Sequence, residues 1–285
     1  MIDTRQFSVI IPTWNRGELL KVTLGKLRAY PQFIAEIHVY VDGGDEATIS
    51  FLGNQFPEVH FFQGQKNIGP GGGRNVLLSK AQSPFILSLD DDSYPVSAGF
   101  FERVLDSLEK YPTAGLLACQ IYHKFEETPA WVDQVKQKAV FEGCGCIYRK
   151  IALKGVPGYV PVQWAYGVEE QDLALQLIDK GWDIFLDKSL VVFHNTDLGH
   201  HNDPKKNAAA IANRALLAYL RFPARYTWLG LAMFFNRIYW ALKNSRSKGV
   251  LKGILMTPSL LFQYRHLRVP VTASTIRKWR KIEQG

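Results

Sequence analysis

Over the first 120 residues, short apolar runs bounded by turn residues alternate with stretches that carry apolar side chains every third or fourth position. The runs at 7–11, 37–41, 59–62 and 85–89 have the length and the β-branched or aromatic content of buried strands. Between the first two, residues 16–29 place Leu19, Leu20, Leu24 and Leu27 at helical spacing, and 46–52 and 72–81 read as shorter helices. Four such alternations predict an α/β fold built on a mostly parallel, doubly wound sheet flanked by helices. Further on the pattern predicts a helix over 98–110, a strand over 115–121, a less regular stretch over 122–137 and a strand over 140–148. A helix over 169–180 and short strands over 184–186 and 190–193 follow. Beyond Pro204 the period is helical, over 208–220, 228–242 and 250–264, with a break expected near Pro258.

Charge divides the chain at the same place. Residues 1–203 hold 18 Lys and Arg against 25 Asp and Glu, a net −7, whereas 204–285 hold 16 against one, a net +15. We therefore expect an acidic body over 1–203 and a basic, amphipathic helical extension over 204–285. In the extension, Trp228, Leu231, Phe235, Ile238 and Leu242 fall on one helical face, which suits contact with an anionic membrane surface or packing on the body. Nucleic acid is not expected as a partner, because the basic residues are interleaved with aliphatic ones. The longest apolar run, 228–235, is far short of the roughly 20 residues needed to span a bilayer. Cys119, Cys144 and Cys146 make no disulfide framework, and the chain enters its first strand without a leader, so the expected location is cytoplasmic, with at most peripheral contact at the inner membrane face.

The strand over 85–89 ends in Asp90-Asp91-Asp92. Open α/β sheets bind ligands at the carboxyl ends of their strands, and three crowded carboxylates call for a divalent cation, held together with nucleotide phosphates. An acidic surface turn is the plainer alternative. Asp42, at the end of the second strand, offers a carboxylate to the imide N–H of a pyrimidine base, although Asp-Gly-Gly is also good turn chemistry. The stretch from Asn67 and Gly69 through Arg74 and Asn75 opens a helix with glycines that let a ligand approach the backbone, and its charge favours an anion. Glu169, Glu170 and Asp172 open another helix after a loop containing Trp164, Tyr166 and Gly167. They serve either as helix-dipole partners or as a general base in a cleft. His194, at a strand end, is a candidate third metal ligand.

Taken in order, Phe7-Ser8-Val9-Ile10-Ile11-Pro12-Thr13-Trp14-Asn15-Arg16, Asp42-Gly43-Gly44, Asn67-Ile68-Gly69 with Arg74-Asn75, Asp90-Asp91-Asp92 and Glu169-Glu170-Gln171-Asp172-Leu173, followed by Gly181-Trp182, resemble an inverting glycosyltransferase of family 2 with the GT-A fold. The resemblance spans about residues 5–200. It implies a nucleotide-sugar site in which Pro12, Thr13 and Asp42 line the nucleoside pocket, Arg74 lies close by, and Asp90 touches the ribose. Asn15, Arg16, Asn67, Gly69 and Asp91 complete the set. Asp92, with His194, would hold Mn2+ or Mg2+. Glu170 would be the catalytic base, with Glu169 or Asp172 orienting the acceptor or holding the loop.

By that resemblance, the expected activity is metal-dependent transfer of a sugar from a nucleotide-diphosphate donor, UDP or dTDP favoured, to an acceptor hydroxyl. The acceptor would be a glycan or lipid-linked glycan in bacterial-type polysaccharide or glycolipid assembly. Two departures stand out: a single acidic residue precedes Gly43-Gly44, and the Glu169-Glu170 pair leaves two candidates for the base. A metal-dependent phosphohydrolase and a non-catalytic sugar-nucleotide or membrane-binding relative are the alternatives.

Overall fold

The computed structural model describes residues 5–130, 132–163, 168–196 and 203–284. The expected loop residues Trp164, Tyr166 and Gly167 lie outside them. Among the described residues one sheet of nine strands runs in the order β3-β2-β1-β4-β8-β6-β9-β5, with β7 pairing to β9. The strands are β1 (Phe7–Thr13), β2 (Ile34–Val41), β3 (Val59–Gln63), β4 (Phe85–Leu89), β5 (Ser93–Pro95), β6 (Ala114–His123), β7 (Val135–Gln137), β8 (Gly145–Arg149) and β9 (Asp183–His194). The first four pair in parallel, as the alternation with helices requires. β8 then joins β4 and β6 antiparallel, and β9 returns parallel to β6.

β1 shows why both faces are covered. Phe7, Val9 and Ile11 enter one core with helices α1 (Gly17–Leu27) and α4 (Phe100–Lys110). Ile10 enters the other, with Leu77 of α3 (Gly69–Lys80) and Leu173 and Leu177 of α5 (Glu169–Asp179). A strand buried on both sides reads as a continuous apolar run, which is how residues 7–11 look in the sequence. The short helix α2 (Glu46–Leu52) matches its expected span, and Asp45 caps it by accepting from the Thr48 N–H at 3.2 Å.

Four helices follow: α6 (Pro204–Arg221), α7 (Thr227–Lys243), α8 (Val250–Tyr264) and α9 (Ala273–Gln284). Leu216, Leu217 and Leu220 of α6 and Ile276 and Trp279 of α9 share the second core with α5, so part of this basic section packs on the body. Trp279 also donates its indole N–H to Ala139 O at 3.1 Å. The outer face of α7 does not cover the sheet: Trp228, Leu231, Phe235 and Leu242 are each more than half exposed, while Ile238 turns toward Ile211 and Val250.

Several expectations are corrected. Residues 140–144 are not strand; they form the loop before β8, where the Gly143 carbonyl accepts from Ser88 Oγ at 2.9 Å. The two short strands over 184–186 and 190–193 are one strand, β9. α8 runs through Pro258 without a break, because that residue sits on the exposed face, where water can serve the carbonyl left without its donor. The hydrophobic pattern does not announce α9, since Ile276, Trp279 and Ile282 are its only large apolar positions in a basic stretch.

Candidate active site

The strand order sets β2, β1 and β4 side by side, so their carboxyl ends bring Asp42, Thr13 and Asp90 to one edge of the sheet. Pairing of β5 with β9 places His194 opposite Ser93, next to Asp92. β8 pairs Gly145 with Leu89, which brings Cys144 to the same place. At this edge lies a cleft of about 370 Å3 lined by Pro12, Thr13, Trp14, Arg16, Asp42, Asn67, Gly69, Pro70, Asp90, Asp91 and Gln163. It gathers eight of the ten residues expected to hold the nucleotide sugar; Asn15 and Arg74 lie outside the lining. A larger cavity of about 860 Å3, between α3 and the segment 149–158, contains none of them.

Asp42 is occupied by its own surroundings. Its carboxylate accepts from the backbone N–H groups of Gly43, Ile68 and Gly69, each at 3.0 Å, and so ties β2 to the start of α3. Gly69 adopts φ +75°, and a side chain there would strike the Val162 carbonyl at 2.3 Å; only glycine fits that turn. Asn67 Oδ1 accepts from the Gly69 N–H at 3.2 Å. Asn15 is in the left-handed region at φ 55° and donates its N–H to Asp45 Oδ2 at 3.0 Å, which holds the turn after β1.

The three aspartates have different partners. Asp91 is buried, accepts from Thr13 Oγ1 at 2.8 Å and pairs with Arg16 at 2.8 Å. Burial pushes its carboxyl up to about 7 against the pull of Arg16. Asp92 pairs with Arg16 and, at 3.2 Å, with His194 Nε2. Burial acts upward on it too, but the His194 hydrogen bond and the two cations hold it below the usual carboxylate range. Asp90 is the most exposed of the three; it pairs with Arg74 and lies 3.8 Å from His194 Nε2. The His194 imidazole is pulled down by burial and pushed up more strongly by Asp92 and Asp90, so it is raised overall.

A divalent cation fits this corner. One donor atom each from Asp90, Cys144 and His194 lie within 4.8 Å of one another, and among the described residues buried Asp92 Oδ1 makes no hydrogen bond beyond its ion pair with His194. The sequence gives no sign of Cys144 as a ligand, because Cys144 and Cys146 stand two apart and no C-x-x-C pair is present. Burial first, then Asp90, push its thiol well above the usual range.

The acidic helix start resolves into three environments. Glu169 is buried against α3: its Oε2 lies 2.0 Å from where a Cβ on Gly71 would stand. Burial, with Glu170 adding, pushes its carboxyl well above the usual range. Glu170 accepts from the backbone of Gly143 and lies near Arg74; burial raises it, with Arg74 opposing. Asp172 faces the other way, into a buried bidentate pair with Arg221 of α6, one bond being 3.1 Å, and also accepts from Gln176 at 2.8 Å. It therefore fastens α6 to α5, outside the cleft. Arg221, unread in the sequence, carries no local signal that separates it from the other basic residues around it.

Arg74 is buried, donates from Nε to Ser88 Oγ at 3.1 Å and pairs with Asp90. Burial alone would lower it, but Asp90, Tyr159 and Glu169 leave it firmly charged. It stands between the carboxylates at the end of β4 and those at the start of α5.

Residues 8–159, more than half of the chain, match the family model "Glycosyl transferase family 2". No curated protein matches the sequence. Among solved structures, Staphylococcus aureus TarS 1-349 in complex with UDP-GlcNAc aligns with a TM-score of 0.59 at 17% identity, over 98% of this chain and 90% of that one. The mannosyltransferase PcManGT from Pyrobaculum calidifontis, in complex with GDP-Man and Mn2+, aligns at 0.57 and 13% identity, over 98% and 84%. GalNAc-T7 with UDP, GalNAc and Mn2+ aligns at 0.61 and 13% identity, over 79% of this chain; the match spans about half, 49%, of that chain.

Proposed function

Because the chain belongs to glycosyl transferase family 2 and is a glycosyltransferase of the GT-A fold, we propose that it is a metal-dependent, inverting enzyme that moves a sugar from a nucleotide diphosphate to an acceptor hydroxyl. The observation that carries this reading is the convergence of Thr13, Arg16, Asp42, Asp90 and Asp91 on one cleft, with Glu170 of α5 outside its lining but beside Arg74, the partner of Asp90.

In this reading Trp14, half exposed at the cleft, and Pro12 flank the nucleoside, and the ribose approaches Asp90, the most accessible of the three aspartates. Asp92, Asp90 and His194 would hold Mn2+ or Mg2+, with Cys144 near enough to join them; a bound cation offsets charge developing on the leaving diphosphate. His194 must give up its proton to ligate, so cation affinity rises with pH. Arg16 releases Asp92 as the donor arrives and keeps its charge for the phosphates.

Glu170 is the base. Its raised carboxyl keeps proton affinity for an acceptor hydroxyl, and attack from the face opposite the leaving group inverts the anomeric carbon. Glu169, buried against Gly71 and pushed up by burial and by Glu170, holds the loop. UDP and dTDP are the favoured donors, and a glycan or lipid-linked glycan is the acceptor. The exposed apolar face of α7 would bring the enzyme to an anionic membrane that presents it. No helix among the described residues is long and apolar enough to cross one.

Calorimetric titration with UDP, dTDP and GDP, each with and without Mn2+, tests the reading. Metal-dependent binding of one nucleotide is expected; no binding of any would overturn it.

A further inference from the structure

Between α6, α7 and α9 lies a second polar cavity, of about 540 Å3, that shares no lining residue with the cleft. Arg214, Arg237 and Arg280 line it together with Trp240 and one carboxylate, Glu283. The two arginines most deeply buried in this protein hold carboxylates: Arg74 holds Asp90 and Arg221 holds Asp172, whereas half-buried Arg149 donates to the backbone carbonyls of Ala114 and Leu108.

Here the hydrogen-bond partners are neutral. Arg214 donates to the Gln171 side-chain oxygen, and one terminal nitrogen of Arg237 donates to Asn207 Oδ1 at 3.0 Å. The other terminal nitrogen of Arg237 is buried and has no partner among the described residues. Arg237 and Arg246 both stand over the Trp240 ring, 4.5 and 5.0 Å from its centroid, which holds two like charges close together. Burial first, then repulsion from Arg214 and Arg246, pull Arg237 below the ordinary arginine value. Burial does the same to Arg214, with Glu283 opposing. Guanidinium groups gathered this way and left short of counter-charge are costly until an anion arrives.

We propose that this cavity binds a phosphate group, held by Arg214, Arg237 and Arg280. A lone carboxylate is matched by one guanidinium fork, whereas several forks suit the multiple charged oxygens of a phosphomonoester or diphosphate. Trp240 supplies an apolar wall for the body that carries the phosphate. Gln171 follows Glu170 on α5, so an occupant that draws on Arg214 acts one residue from the proposed base. The phosphate belongs to an anionic lipid head group or to a soluble phosphorylated molecule. The site itself stands on the arginines alone; only its placement beside the base rests on the glycosyltransferase reading.

Inorganic pyrophosphate, titrated calorimetrically into the full chain in EDTA to silence metal-dependent binding in the cleft, is the first probe. Co-sedimentation with phosphatidylcholine vesicles, with and without phosphatidic acid, is the second. Binding of at least one probe is expected. Arg237→Gln and Arg214→Gln should each weaken it about tenfold or more, the size of one lost charge-assisted hydrogen bond. Both variants should leave binding of UDP with Mn2+ unchanged, and Arg237→Lys should fall between them and the parent.

Pyrophosphate binding without vesicle capture assigns a soluble ligand, and capture that needs phosphatidic acid and falls in Arg237→Gln assigns a lipid. Should Arg237→Gln fail to fold, Arg280→Gln on the surface helix α9 carries the same test. Equal affinity in parent and variants, or binding of neither probe by the parent, overturns the site. Failure of UDP to bind the parent would sink the catalytic reading and leave this one standing.

Discussion

At the carboxyl ends of β1 and β4, three aspartates are answered from within the molecule by Arg16, Arg74 and His194; between α6, α7 and α9, three arginines share one carboxylate. The first region is closed: a ligand entering the cleft exchanges partners with groups already paired. The second is open: one Arg237 nitrogen has no partner among the described residues, and the hydrogen bonds an anion would draw on there go to neutral amides. A closed set gives binding that is sensitive to pH and to metal, whereas an open set gives binding that follows charge and falls with salt.

The sharpest way to break the comparison is at the cleft. Glu170→Gln should lower turnover by about 10²- to 10⁴-fold, the usual worth of general-base assistance, while nucleotide affinity by calorimetry is unchanged. Turnover equal to the parent would remove Glu170 as the base. Because burial raises this carboxyl, the parent's rate should fall with acid at a pH above the ordinary glutamate range. A pH profile of kcat/KM should show that limb, and Glu170→Gln should lack it.

Next in size is the pair that joins the two regions. Arg221→Met leaves Asp172 charged and buried without its partner, and should cost about 3–5 kcal/mol in urea unfolding. A loss under 1 kcal/mol would mean that α6 is held by its leucines alone. Gly71→Ala sets a methyl carbon 2.0 Å from Glu169 Oε2, and overpacking there should cost about 1–3 kcal/mol with a fall in activity as α5 shifts. Unaltered activity would separate the two helices functionally. The smallest effect on stability belongs to the outer face of α7: Leu231→Ser with Phe235→Ser should stay within about 0.5 kcal/mol of the parent yet lose binding to anionic vesicles. Retained binding would move the membrane contact elsewhere.

The core strands and the edge of the cleft were legible because each depends on contiguous residues. A five-residue run with four apolar side chains, Phe85 to Leu89, followed by Asp90-Asp91-Asp92 declares a buried strand and a charged end by itself, and Pro12, Thr13 and Asp42 stand at equivalent strand ends. The roles of neighbouring acids were not legible. Glu169, Glu170 and Asp172 look alike in a helix's first turn, yet one is buried on Gly71, one faces Arg74 and one is paired with Arg221, 49 residues later. The family match ends at residue 159, before any of them.

By itself the sequence determined the alternation of strands and helices, the line of carboxylates at strand ends and the charge difference between body and tail, because periodicity and composition are local properties. Only the tertiary structure decided that Asp42 is tied up by Ile68 and Gly69, that Cys144 joins Asp90 and His194, and that Arg214 and Arg237 meet around a single carboxylate, Glu283. Those facts depend on strand order, register and helix crossing, which bring together residues that no spacing along the chain connects.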